Sequence, residues 1–124
     1  MATPFDFEMQ AGDLLPSIQT SGLKNPDGTI VDLTNATSVK FIMDAANTDW
    51  TPKANATPKV QAAAVMVTPK TSGVVEYIWA SGDTDTAGQY LGQWLVTWPT
   101  LRPQRFPTGT YYQIQINANL GGTP

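Results

Sequence analysis

The sequence of 124 residues contains no histidine and no cysteine. Without imidazole it lacks the commonest general base, and without a thiol it has neither a cysteine nucleophile nor a thiolate metal ligand. The absence of cysteine also excludes a disulfide framework. These two absences remove most enzyme mechanisms, so we expect a non-enzymatic protein without a cofactor.

Charged residues are also scarce, at 14% of the chain against roughly 25% in an average domain. The formal net charge of −3 and the lack of clustered Lys and Arg argue against a nucleic-acid partner. The sequence has no basic, apolar leader and no run of about 18 apolar residues, so we expect no membrane attachment. Low charge with 41% hydrophobic residues indicates a surface that other proteins partly cover.

The remaining chemistry rests on carboxylates. A glycosidase needs two of them roughly 5 to 10 Å apart, but Asp83 and Asp85 lie in a turn, where acids usually bind backbone donors. The same turn begins like a calcium loop and has Gly88 at the sixth position, but Ala87 and Trp94 stand at the fifth and twelfth. No glycine pattern fits a phosphate loop. We therefore predict no catalytic, metal or nucleotide site.

Apolar and polar residues alternate over several short stretches, which is the pattern of strands with one buried face. The predicted strands contain Phe5, Phe7 and Met9 (an edge strand), residues 15–20, Val31 and Leu33, Val39, Phe41 and Met43, residues 60–67, Val75, Tyr77 and Trp79, residues 89–98 (a central strand), and Tyr112, Ile114 and Ile116. Turn residues separate them, as in Asn-Pro-Asp-Gly at 25–28. The pattern predicts a single all-β domain of about seven or eight strands.

Two stretches need a choice between structures. Residues 60–67 include three successive alanines, but Pro58 and Pro69 bracket a run too short for a typical helix, so we predict a strand that forms a hairpin with the next one. Residues 99–107 contain Pro99, Pro103 and Pro107, and we predict a loop there.

The segment 73–98 holds five of the twelve aromatic residues and indicates the kind of β fold. Its turn ends in Asp85-x-x-Gly88-x-Tyr90, an arrangement typical of an immunoglobulin-like β-sandwich. There the tyrosine hydroxyl returns to the backbone upstream and stabilises the corner between two sheets. We expect Trp79 and Trp94 to lie in the core of such a sandwich.

The other large rings suggest a binding surface. Trp50, Trp98 and Tyr111 could stack against sugars, since amphipathic rings serve both cores and binding faces. Aromatic residues are also enriched in protein interfaces, which favours a core or subunit contact. A carbohydrate-binding module stays the alternative function, and a glycosidase fragment is a third possibility.

Three stretches together resemble a known family: DGTIVDLTNAT at 27–37, GVVEY at 73–77 and DTDTAGQY at 83–90. Over roughly residues 5–117 the chain is similar to the N-terminal domain of bacteriophage baseplate upper proteins. The resemblance implies a β-sandwich subunit of the virion that attaches to other virion proteins and to copies of itself. Larger relatives continue into shaft and receptor-binding regions, whereas this sequence ends at Pro124, so we expect an adaptor or accessory protein of the tail, baseplate, neck or capsid.

If the chain is such a subunit, its contact surface should combine apolar and basic residues on loops. The predicted loop 99–107 carries Leu101, Arg102, Arg105 and Phe106, and the loop after residue 45 carries Trp50. We predict that these five residues contact partner proteins.

Overall fold

The computed structural model of the chain describes residues 7–20, 22–53, 58–106 and 111–119. Nine short strands in these ranges confirm the prediction of an all-β protein, and the helical structure there is a 3-10 turn at Lys70–Ser72. The strands are β1 (Phe7–Gln10), β2 (Ile18–Gln19), β3 (Ser38–Ala45), β4 (Val60–Ala63), β5 (Val65–Met66), β6 (Val75–Tyr77), β7 (Gly88–Trp98), β8 (Arg102–Phe106) and β9 (Tyr112–Asn117). Phe5 and Pro107 lie outside the described residues.

Six strands form a mixed sheet in the order β1-β9-β7-β3-β4, with β8 also paired to β7. Along one side β7 pairs antiparallel with β3, and along the other it pairs with β9 and then with β8. The prediction of a central strand at 89–98 is therefore confirmed. β1 lies at an edge, as predicted, and runs parallel to β9.

The strands β2, β6 and β5 form a second, antiparallel sheet. The extended structure predicted for 60–67 is confirmed, but it divides between the sheets: β4 pairs with β3, and only β5 forms the expected hairpin with β6. Ala64 lies at the break, where its N–H donates to the Val39 carbonyl at 2.9 Å. The chain thus crosses from one sheet to the other at a single residue.

Side chains from both sheets pack into one buried cluster, with Phe41 of β3 at its centre. The Phe41 ring lies 4.9 Å from that of Trp94 in the large sheet, 5.2 Å from that of Tyr77 in the small sheet and 5.7 Å from that of Trp79. Each such pair contributes about 0.5–1.5 kcal/mol beyond the area it buries. The prediction that Trp79 and Trp94 are core residues is confirmed.

The predicted tyrosine corner is present where the chain passes from β6 to β7. The Tyr90 hydroxyl donates to the carbonyl of Thr86 at 2.7 Å, four residues upstream. Tyr90 is buried, and this burial raises the pKa of its hydroxyl. The bond closes the turn directly before the strand that organises the large sheet.

Three further hydrogen bonds hold the same connection. Asp83 accepts the hydroxyl of Tyr77 at 2.5 Å and the N–H of Ala80 at 2.8 Å, while burial and Asp83 raise the pKa of Tyr77. The buried hydroxyl of Thr84 donates to the carbonyl of Asp13 at 2.8 Å. Asp83 therefore acts as a turn residue, as its position in the sequence predicts.

Residues 31–34 do not form the predicted strand. Val31 and Leu33 are buried, so the alternation is correct, but the only strand-like pairing nearby is an isolated bridge between Lys24 and Ile30. The carboxylate of Asp32 accepts both the N–H and the hydroxyl of Thr34, at 2.9 and 2.5 Å. This local turn replaces the ladder that a strand would have formed.

Replacing Tyr90 by Phe should lower the free energy of unfolding by about 1 kcal/mol, because it deletes the bond to Thr86 and leaves that carbonyl without its donor. Urea denaturation followed by tryptophan fluorescence measures the change. Tyr111→Phe is the control, since its ring is exposed and the change should stay within about 0.5 kcal/mol. Equal midpoints for Tyr90→Phe and wild type would contradict the role of the corner.

Gly92→Ala should lower the free energy of unfolding by about 1–3 kcal/mol, because the added methyl group would lie 2.9 Å from Ile114 Cδ1 and 3.2 Å from the ring of Phe41. The same denaturation experiment tests this steric effect. Thr97→Ala, on the other face of β7, should cost less than about 1 kcal/mol. A loss as large for Thr97→Ala would mean that strand propensity, and not close packing, explains the result.

Candidate interaction site

The hairpin between β7 and β8 presents an apolar side chain at its tip. Trp98 pairs with Arg102, so three residues connect the strands. Thr100 and Leu101 have φ values of 66° and 58°, in the left-handed region that costs a residue other than glycine roughly 1–2 kcal/mol. Leu101 is 85% exposed. The hairpin thus holds a large apolar side chain in solvent on an unfavourable backbone.

The loop after β3 repeats the hydrogen bonds of the earlier turn at 25–29. Both have the sequence Asn-x-Asp-x-Thr, at 25–29 and 47–51. In both, the Asn N–H donates to the Thr carbonyl (2.8 and 2.9 Å), and the Asn amide donates to the Thr hydroxyl (3.1 and 3.0 Å). The Asp carboxylate accepts from the Thr hydroxyl and N–H, which lowers the pKa of Asp27 and of Asp49. One local architecture is therefore used twice.

The two loops differ at their fourth position, which is Gly28 in the first and Trp50 in the second. Both residues are left-handed, with φ values of 89° and 64°, and both donate their N–H to the first Asn of the loop at 2.9 Å. Glycine adopts this conformation freely, whereas tryptophan does so at a cost. The half-buried Trp50 therefore occupies a position whose backbone favours glycine.

The structure separates the predicted contact residues. Trp50 follows the end of β3 that pairs with Tyr90, whereas Leu101 and Arg102 lie together at the Trp98 end of β7. The eight-residue step from Tyr90 to Trp98 spans about 26 Å of extended strand. Trp50 and Leu101 therefore lie at opposite ends of the large sheet.

The prediction of a loop at 99–107 is wrong, because β8 occupies most of it. Arg105 is exposed and lies opposite Leu95 of β7. Phe106 lies opposite Trp94, is only 1% exposed and belongs to the core, so it cannot reach a partner in the folded protein. Pro103 concealed the strand in the sequence, yet proline is tolerated where a strand lies at an edge.

Of the rings considered as platforms, Trp98 is half-buried and its indole N–H donates to the side chain of Gln104 at 2.9 Å. It lines an open cleft with Arg102, Pro103 and Gln104. Tyr111 precedes β9 and is 39% exposed. Tyr111 is therefore the more accessible of these two rings.

Tyr111 lines a pocket of about 180 Å³ on the outer face of the large sheet. Among the described residues, the rest of the lining comes from β3, β7 and the segment between β3 and β4: Ile42, Asp44, Ala45, Pro52, Lys53, Pro58, Leu91 and Gln93. Leu91 points away from the main core, yet it is only 7% exposed. The pocket thus has an apolar floor outside the core.

Two further acids, Asp85 and Glu76, have structural partners. Asp85 forms an ion pair with Lys59 at 2.8 Å, and this contact lowers the pKa of Asp85. Glu76 accepts the hydroxyl of Ser17. Within the described ranges there is no group of three or more His, Cys, Asp or Glu residues suited to a metal ion. Nor does that part of the chain contain a helix long and apolar enough to cross a membrane.

Comparison of the chain with protein-family models, with curated proteins and with solved structures gives no match.

The sequence pattern did not predict the similarity of the loops at 25–29 and 47–51, nor the pocket beside Tyr111. The repeat Asn-x-Asp-x-Thr can be seen in the sequence. Only the backbone angles show that Gly28 and Trp50 share the left-handed conformation. The pocket joins Tyr111 to residues of β3 and β7 that lie far away in sequence. Only the sheet pairing brings them together.

Phe106→Ala should lower the free energy of unfolding by about 3–5 kcal/mol, because it removes a fully buried ring from the core. Leu101→Ala, at the exposed tip of the same hairpin, should change it by less than about 0.5 kcal/mol. Urea denaturation compares the two variants. Similar midpoints for both would contradict the inward orientation of Phe106.

Proposed function

We propose that this chain is a non-enzymatic structural subunit of a bacteriophage virion, with an immunoglobulin-like β-sandwich fold. It is made in the host cytoplasm and acts as an adaptor or accessory protein of the tail, baseplate, neck or capsid. Its partners are other virion proteins and copies of itself, with no role for nucleic acid or membrane. The proposal begins from the resemblance carried by residues 27–37 and 73–90. The corner bond of Tyr90, between strands of two sheets, supports the finer fold assignment.

The observation that carries the proposal is the placement of Trp50 and Leu101. Both are large apolar residues on left-handed backbone, a conformation that glycine adopts more readily. Their positions are unfavourable for the isolated fold, which is expected of residues kept for a contact. Tryptophan and arginine dominate many interfaces, and Arg102 is exposed beside Leu101.

The separation of these residues fits a subunit with neighbours on two sides. Trp50 follows the end of β3 that pairs with Tyr90, Leu101 follows Trp98, and the strand from Tyr90 to Trp98 is about 26 Å long by the rise of an extended strand. One globular partner could contact either end without covering the other. We therefore assign the two ends to two different contacts in the particle.

Trp50→Gly and Leu101→Gly should leave the fold intact and reduce incorporation into particles. Glycine relieves about 1–2 kcal/mol of left-handed strain but adds about 0.5–1 kcal/mol of unfolded-chain entropy, so we expect stability to rise by roughly 0.5–1 kcal/mol for the exposed Leu101. Trp50 is half-buried and has an interaction within the chain, so for Trp50→Gly we expect the relief of strain to be offset by the loss of that interaction. Occupancy should fall at least about tenfold, the effect of losing 1.4 kcal/mol of contact energy.

The measurement is quantitative mass spectrometry of particles purified from phage that encode each variant, with urea denaturation of the isolated proteins. Thr100→Gly is the matched control, because Thr100 is left-handed in the same hairpin but polar. Its occupancy should equal that of wild type. Wild-type occupancy for both Trp50→Gly and Leu101→Gly would remove the contact assignment, and absence of the wild-type chain from particles would refute the function.

A further inference from the structure

We infer that the pocket beside Tyr111 binds one neutral pyranose ring of a saccharide. The inference concerns the outer face of the large sheet and does not depend on the virion role proposed above. It rests on the size of the pocket, the kinds of side chain that line it and the rigidity of its walls.

The size of the pocket suits a single ring. Its volume is about 180 Å³. A cavity of about 150 Å³ accommodates benzene, whereas pockets for drug-sized molecules begin at about 300 Å³. The pocket is therefore large enough for one six-membered ring.

The apolar part of the lining suits the carbon-bound hydrogens of a sugar ring. Leu91 and Ile42 project from neighbouring strands at the floor, and Pro52 comes from the loop after β3. The partly exposed Tyr111 adds an aromatic ring. Aromatic rings combine a large apolar surface with low conformational freedom, which suits them to stacking against a flat ligand face.

The polar part of the lining suits hydroxyl groups. Gln93 supplies an amide that both donates and accepts, and Lys53 an ammonium donor. The carboxylate of Asp44 lies beside them and accepts the N–H of Ala45 with one oxygen. A purely apolar ring would desolvate these groups without offering them hydrogen bonds. A sugar offers both an apolar face and hydroxyls that donate and accept.

The charges of the lining select a neutral ligand. The described lining residues include one acid, Asp44, and one base, Lys53, so their formal charges cancel. A phosphate or carboxylate would gain from Lys53 but would be repelled by Asp44. A neutral hexopyranoside avoids this repulsion.

The walls of the pocket are already in place. Ile42 and Asp44 lie on β3, and Leu91 and Gln93 lie on β7, the most extensively paired strands of the sheet. Pro52 is held by its bridge to Ala46 at the base of the hydrogen-bonded loop 47–51. Binding sites on rigid elements lose little entropy when they order around a ligand.

The test is a titration of the ¹⁵N-labelled chain with methyl glucoside, methyl galactoside, methyl mannoside and N-acetylglucosamine, followed by amide chemical shifts. At least one sugar should give saturable shifts at Ile42, Leu91, Gln93 and Tyr111, with a dissociation constant on the order of millimolar. Residues of the cleft beside Trp98 should not shift, which makes that cleft an internal control.

Tyr111→Ala should weaken binding about tenfold, as expected for the loss of roughly 1.4 kcal/mol of stacking, whereas Tyr111→Phe should stay within about threefold of wild type. Gln93→Ala should also weaken binding, and it tests the same pocket if Tyr111→Ala does not fold. Absence of saturable shifts with all four sugars would overturn the inference. Binding that neither Tyr111→Ala nor Gln93→Ala weakens would also overturn it. Chemical shift changes of equal size in the Trp98 cleft would do the same. Occupancy in particles is a separate measurement, so failure here leaves the virion proposal standing.

Discussion

The two-sided pairing of β7 is the constraint on which the rest of the structure depends. Its one edge binds β3 over eight residue pairs, and its other edge binds β9 and then β8. Gly92 permits this arrangement, because Phe41 and Ile114 lie where any side chain at that position would project. The aromatic core, the Tyr111 pocket and the β7–β8 hairpin all take their positions from this strand.

Trp50 and Leu101 both have a backbone conformation that favours glycine. For Trp50, the comparison of the loop at 47–51 with the turn at 25–29 shows this directly. The turn at 25–29 has glycine at its left-handed position, whereas the loop at 47–51 has Trp50 there with the same hydrogen bonds around it. Because the two loops share one architecture, the hydrogen bonds of the loop do not themselves require tryptophan. The side chain of Leu101 contributes little to the core from an exposed hairpin tip.

Much of the fold could be predicted from the sequence, because alternation of apolar residues and the tyrosine corner depend on local geometry. Strand pairing could not be predicted, because the segment around Ala64 pairs with two different strands. Before Ala64 it pairs with β3, and after Ala64 it pairs with β6. Proline at 103 suggested a loop because its edge position was unknown, and the same error placed Phe106 on the surface. For the candidate site, residue type and loop position pointed to Trp50 and Leu101. Only the backbone angles show that both residues are left-handed, and only the strand register shows that they lie at opposite ends of the large sheet.

The parallel pairing of β1 with β9 has a mechanical consequence. The first and last strands of the described chain lie side by side, with Phe7 opposite Ile114 and Gln10 opposite Asn117. Tension applied to the chain before β1 and after β9 acts along this ladder in opposite directions. All of its hydrogen bonds then share the force at once, as in shear, and do not break one after another as in peeling. A domain joined to its neighbours through these two strands would resist extension.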